Sequence, residues 1–63
     1  MSKAMITNED NEKVSVDVCD GKIVLLIEDN LEWARAVLTK AEAMMLARML
    51  QNAVWEVTQN EHV

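Results

Sequence analysis

The chain has 63 residues, a formal net charge of −5 and 51% hydrophobic residues, so its composition is that of one small acidic globular domain. The negative charge disfavours general attraction to nucleic-acid phosphates, no apolar run is long enough to span a membrane, and a single Cys excludes an internal disulfide. Because a chain of this size buries only about 60% of its unfolded surface, we expect it to depend on self-association for stability.

The N-terminal segment MSKAMITNEDNEK is polar and has no hydrophobic period, so we predict that residues 1–12 form a flexible polar tail. The same segment lacks the apolar stretch of a secretory signal peptide. An unpaired Cys suits a reducing compartment. The sequence therefore predicts a cytoplasmic protein that does not associate with membranes.

Two strands and a tight turn are predicted next. KVSVDVC alternates strictly between Val and other residues, which is typical of a half-buried strand. The dipeptide Asp20-Gly21 favours a two-residue hairpin turn because both central positions need a positive φ. KIVLLIE is then the return strand, and this register places Val16 opposite Leu25.

A second two-residue turn is predicted at Asp29 and Asn30, which both tolerate left-handed backbone, and LEWARAVL is then a third strand. In this register Leu25 faces Ala34 and Ile23 faces Ala36. A slip of this hairpin by one residue would exchange the two faces of the strand.

The C-terminal part is predicted to be helical. Thr39 and Glu42 form a capping-box pattern, and no Pro or Gly interrupts the chain after it, so the helix is expected from Thr39 to about Thr58. The predicted fold class is α+β, a three-stranded antiparallel meander followed by one C-terminal helix (β-β-β-α), and we expect it to be dimeric. The domain comprises residues 13–58, followed by a C-terminal tail of residues 59–63.

One face of the predicted sheet carries the alternating Val residues, their apolar partners and small Ala side chains that leave room for a helix. We therefore expect the helix stripe to close a core there; the stripe consists of Leu46, Leu50, Ala53 and Val57. The opposite sheet face and the opposite side of the helix also carry apolar residues, which indicates an interaction surface. The predicted interface consists of Val24, Leu26, Leu31, Trp33, Arg35, Val37, Met44, Arg48 and Trp55. Two alternatives stay open: Trp33 is simply a strand-favouring residue, and Met44 and Trp55 are scattered exposed side chains.

Patterns for catalysis or metal binding are weak. Several carboxylates lie near the hairpin ends without the ligand spacing of a Ca²⁺ loop, and solvated turn residues explain them better. Cys19 has no neighbouring cation that the sequence identifies, and His62 lies in the predicted tail. The sequence therefore predicts a non-enzyme without metal or cofactor.

Three functions fit these observations. The first is a small homodimeric protein-interaction or regulatory module that binds itself and another protein. The second follows from element order: AVLTKAEAMMLARML supplies a strand, a capped start and a helix, and this arrangement is similar to that of transcriptional coactivators that bind single-stranded DNA on a curved sheet. That resemblance implies nucleic-acid binding, although only Lys22 and Arg35 are cations expected near Trp33. The third is an acidic inhibitor of a host enzyme, encoded by a mobile element.

Overall fold

The computed structural model describes residues 3–61, which form four strands and one helix. The elements are β1 (Ala4–Thr7), β2 (Lys13–Cys19), β3 (Lys22–Glu28), β4 (Trp33–Leu38) and α1 (Lys40–Asn60). The strands pair in the order β1-β2-β3-β4, and every pair is antiparallel. The α+β class and the antiparallel meander with a C-terminal helix are thus confirmed, whereas the prediction of three strands was wrong by one.

The additional strand, β1, lies within residues 1–12, which the sequence predicted to be a tail. A loop of residues 8–12 joins it to β2, and Asn8 organises this loop: its Oδ1 accepts hydrogen bonds from the backbone N–H groups of Asp10 (3.0 Å) and Glu12 (2.9 Å). Asn11 takes the left-handed conformation, with φ of 64°. NEDNE is therefore a structured turn, because Asn side chains bond to nearby backbone and tolerate positive φ.

The predicted turn between β2 and β3 is confirmed. Asp20 and Gly21 have φ values of 50° and 73°, and Cys19 pairs with Lys22 on either side of them. The register that follows, with Val16 opposite Leu25, is also as predicted. Positive φ at two successive residues matches the right-handed twist of the adjoining strands.

Substitution of Gly21 tests this turn. We expect Gly21→Val to lower the free energy of unfolding by about 1 kcal/mol or more, because a β-branched residue is strained at positive φ. No atom lies within 4 Å of a Cβ built at this position, so the effect comes from the backbone conformation and not from a clash. Gly21→Asn is the matched control, since Asn tolerates this region, and it should have a smaller effect. Equal urea midpoints for the parent and Gly21→Val would contradict the prediction.

The turn between β3 and β4 differs from the prediction. It has four residues instead of two, because the Asp29 carboxylate accepts hydrogen bonds from the backbone N–H groups of Leu31 (2.8 Å) and Glu32 (2.7 Å). The register is consequently shifted by two residues, so that Leu25 pairs with Ala36. Since strand side chains alternate with a period of two, this shift leaves the same residues on each face.

The helix begins as predicted. Thr39 is its N-cap, the Thr39 Oγ1 accepts a hydrogen bond from the Glu42 N–H (3.2 Å), and the Glu42 carboxylate accepts one from the Thr39 N–H (2.9 Å). The helix extends to Asn60, two residues beyond the predicted end and into the predicted C-terminal tail. Residues 62 and 63 of that tail lie outside the described residues.

The observed pairing defines two sheet faces. Face one carries only apolar residues. Its residues are Ala4, Ile6, Val14, Val16, Val18, Ile23, Leu25, Ile27, Ala34, Ala36 and Leu38. Face two is mixed, and its residues are Met5, Thr7, Lys13, Ser15, Asp17, Cys19, Lys22, Val24, Leu26, Glu28, Trp33, Arg35 and Val37.

The predicted core does not close within one copy. Helix α1 lies near β3 and β4 and does not approach β1 or β2 to within 8 Å between Cα atoms. Throughout residues 3–61, no hydrophobic side chain is buried. The helix is too far toward one edge of the sheet to cover face one, and the fourth strand makes that face wider than predicted.

Candidate interaction surfaces

An apolar concave surface lies between the helix and face one. It is a groove of about 350 Å³ lined only by apolar residues. The helix contributes Ala43, Leu46, Ala47 and Leu50, and β1 and β2 form the opposite side with Ile6, Val14 and Val16 among others. Leu46 and Leu50 thus lie on face one as predicted. The groove remains open, however, and Ile6 is 67% exposed.

The helix stripe continues beyond this groove. Successive residues of a helix are about 100° apart, so Val54 and Val57 lie on the same side as Leu50, and we call these two residues the distal stripe. A shallow depression around them is lined by helix residues alone: Ala53, Val54, Val57, Thr58 and Glu61. The prediction that Ala53 and Val57 pack on the sheet was therefore wrong: both are exposed, and among residues 3–61 only the helix lines the depression around them.

The shape and surface area of the chain reflect these open surfaces. A compact domain of 63 residues has a radius of gyration of about 11 Å, whereas the Cα value here is 13.8 Å. The accessible surface is 5787 Å², and a compact monomer of 7.1 kDa exposes about 4,100 Å². One copy consequently exposes about 1,700 Å² more than a compact protein of its mass.

Face two holds five of the predicted interface residues. Val24 and Leu26 are half-buried on β3, directly opposite Val37 and Arg35 of β4, while Trp33 lies at one corner opposite Glu28. These side chains form a small apolar patch with Arg35 beside it. Trp33 is exposed, so the structure leaves both of its interpretations open.

Leu31 does not belong to this patch. The sequence predicted it on the third strand, but it lies in the four-residue loop and is 93% exposed. Its backbone N–H bonds to Asp29, which holds residue 31 outside the sheet. The predicted placement of Leu31 was therefore wrong.

The other predicted residues lie on the helix. Met44, Arg48 and Trp55 are all exposed, on a side of α1 about 100° or more away from the stripe that lines the groove. They are therefore separate from the groove and also from face two. The structure does not bring the nine predicted residues into one continuous site.

Two carboxylates have pKa values lowered by hydrogen bonds. The pKa of Asp29 lies below its ordinary value because the N–H groups of Leu31 and then Glu32 bond to its charged form. The pKa of Glu42 is lowered by the backbone N–H of Thr39 and then by the Thr39 side chain. In both residues the ionised carboxylate stabilises a turn or a helix start.

Within residues 3–61, no three His, Cys, Asp or Glu side chains are grouped so that they could hold a metal ion. Cys19 is free and exposed at the end of β2, while His62 lies outside the described residues. The helix of this part of the chain is not long and apolar enough to cross a membrane.

No protein-family model matches the chain, and no curated protein or solved structure is significantly similar to it.

The uncovered part of face one, which includes Ile6 of β1, was not predicted from the sequence. A signal for β1 is present in AMIT, where Ala4 and Ile6 alternate with Met5 and Thr7 before an Asn-rich turn. The segment is short, and the acidic residues after it made it resemble a tail. Without β1, the width of the sheet and the position of the groove were not predictable.

Proposed function

We propose that this chain is a small non-enzymatic interaction or regulatory module that acts as a homodimer and binds another protein. The observation that carries the proposal is that face one is entirely apolar and remains open. All the described hydrophobic side chains of the chain are at least partly exposed. Burial of apolar surface is the dominant favourable contribution to folding, so one copy lacks the usual source of stability. A second copy of the same chain is the simplest source of the apolar surface that face one lacks.

The surfaces for another protein are those that lie away from face one. Face two offers Val24, Leu26 and Val37 next to Arg35 and Trp33, which is the mixture of apolar, aromatic and Arg side chains that interfaces favour. The helix side with Met44 and Trp55 is a second, smaller surface of the same kind. We further propose a cytoplasmic location, which is compatible with the free Cys19 thiol.

The oligomeric state tests the proposal. We expect light scattering to show a dimer at micromolar concentration and a melting temperature that rises with protein concentration, because association and folding are coupled. Circular dichroism at several concentrations between 1 and 200 µM measures how the melting temperature depends on protein concentration. A folded monomer at the highest concentration, with a concentration-independent transition, would overturn the proposal.

Single-stranded nucleic-acid binding is the second candidate. It is favoured by exposed Trp33 on an open sheet face that also carries Lys13, Lys22 and Arg35. Aromatic stacking platforms with cations bind single strands without sequence preference. Asp17 and Glu28 on the same face oppose it. In a Trp55→Phe variant, an added oligonucleotide should quench Trp33 fluorescence at low salt if this candidate is correct, and unchanged fluorescence would contradict it.

A further inference from the structure

Each copy has two unpartnered apolar surfaces of different shape. The first is the part of face one on β1 and β2, whose Cα atoms all lie more than 8 Å from those of the helix in the same copy. The second is the distal stripe, Val54 and Val57, which is exposed and lies in a depression that, among residues 3–61, only the helix lines. Among residues 3–61, the helix approaches only β3 and β4 of the sheet, and the end of the helix with the distal stripe lines a depression by itself.

We propose that in the homodimer the distal stripe of each helix packs against the uncovered β1 and β2 part of face one of the other copy. This inference rests on the homodimer proposed above and identifies which surfaces form it. A twofold axis makes the exchange reciprocal, because residue i of one copy then contacts residue j of the other and vice versa. Face two stays on the outside of the dimer.

The surface area agrees with this arrangement. The excess of about 1,700 Å² on each copy corresponds to about 3,400 Å² for a pair. Obligate homodimers bury roughly 2,000 to 5,000 Å² in total, whereas standard transient complexes bury about 1,600 Å². A pair that buries this excess on both copies therefore falls within the size range of obligate dimers.

The uncharged character of both surfaces allows a second copy of this acidic chain to occupy them. The chain has a net charge of −5, so two copies repel one another wherever their acidic residues meet. Face one and the distal stripe contain no charged residue, and Glu61 at the helix end is the nearest acidic side chain in the shallow depression. Contact through these surfaces keeps the carboxylates in solvent.

A matched pair of helix variants tests the arrangement. Val54 and Met45 are both 65% exposed and, about 180° apart around the axis of α1, lie on opposite sides of the helix. Val54→Glu and Met45→Glu add the same charge, and neither disfavours the helix much, since Glu is a good helix former. We expect Val54→Glu to raise the dimer dissociation constant about 100-fold or more, because it puts a charge into an apolar contact, and Met45→Glu to leave it unchanged within about threefold.

The outcomes separate this inference from the proposed function. If the parent chain is a monomer, the proposed homodimer fails and the arrangement fails with it. If the parent is a dimer but Val54→Glu associates equally well, or Met45→Glu is equally disruptive, only the arrangement is overturned.

A second measurement needs no substitution, which matters because Val54→Glu could lose its fold together with its partner. Labelled and unlabelled copies of the 63-residue chain are mixed, and isotope-filtered NMR then detects contacts between copies only. We expect intermolecular methyl contacts from Val54 and Val57 to face-one residues of β1 and β2, such as Ile6 and Val14. A dimer whose intermolecular contacts come from face two instead would overturn the arrangement.

Discussion

Leu25→Asp is expected to abolish both association and folding at micromolar concentration. Leu25 lies on face one in the centre of the sheet, between Val16 and Ala36, and lines the groove. A carboxylate that is buried there without a partner costs about 3 to 5 kcal/mol, and a symmetric dimer contains two. Light scattering and far-ultraviolet circular dichroism measure the loss.

Leu26→Asp is the control for this variant. Leu26 is the next residue on β3, is half-buried like Leu25 and points to face two, where Arg35 lies directly opposite. Both substitutions reduce strand propensity by the same amount, so this contribution cancels in the comparison. With an Arg neighbour and access to water, we expect Leu26→Asp to cost about 1 kcal/mol or less. Equal effects of the two variants would show that face one is not preferentially buried.

Leu50→Ala is the second substitution with a large expected effect. Leu50 is 59% exposed in one copy, although the sequence predicted it as a core residue. Truncation of a side chain that stays exposed changes stability by about 0.5 kcal/mol or less. If a second copy covers the groove, the same truncation leaves a cavity and costs about 2 to 5 kcal/mol per chain. We expect Leu50→Ala to cost about 2 to 5 kcal/mol of stability per chain.

Met49→Ala provides the comparison for Leu50→Ala. Met49 is as exposed as Leu50, but it does not line the groove. Its truncation should therefore have a small effect on the urea midpoint, and that effect should not depend on protein concentration. If both variants unfold like the parent, Leu50 stays in solvent and the groove is not covered.

The sequence predicted the parts of the fold that depend on local chemistry. Asp20 and Gly21 specify a turn through their backbone preferences, and Thr39 with Glu42 specifies the helix start through two reciprocal hydrogen bonds. The strict alternation in KVSVDVC predicted strand β2 and which of its residues lie on face one. These signals involve residues within a few positions of one another.

The features that the sequence did not predict depend on competition between local signals or on packing between residues that are distant in the chain. Asp29 bonds to the backbone two and three residues ahead, and this four-residue turn competed with the two-residue turn that Asp29-Asn30 also favours. The position of α1 over β3 and β4, and hence the open groove, is set by packing across the sheet. No local pattern in the helix indicates where its first turns will lie on the sheet.

The absence of a buried hydrophobic side chain within one copy, over residues 3–61, has a kinetic consequence. Hairpins and a capped helix form from neighbouring residues on the microsecond scale, so secondary structure does not limit refolding. If apolar burial needs a second chain, the slow step is a collision between two partly structured chains. Refolding is then second order at low concentration, and its half-time doubles when the protein is diluted twofold. The amount of chain that a cell produces would then set both how much is folded and how quickly newly made copies reach that state.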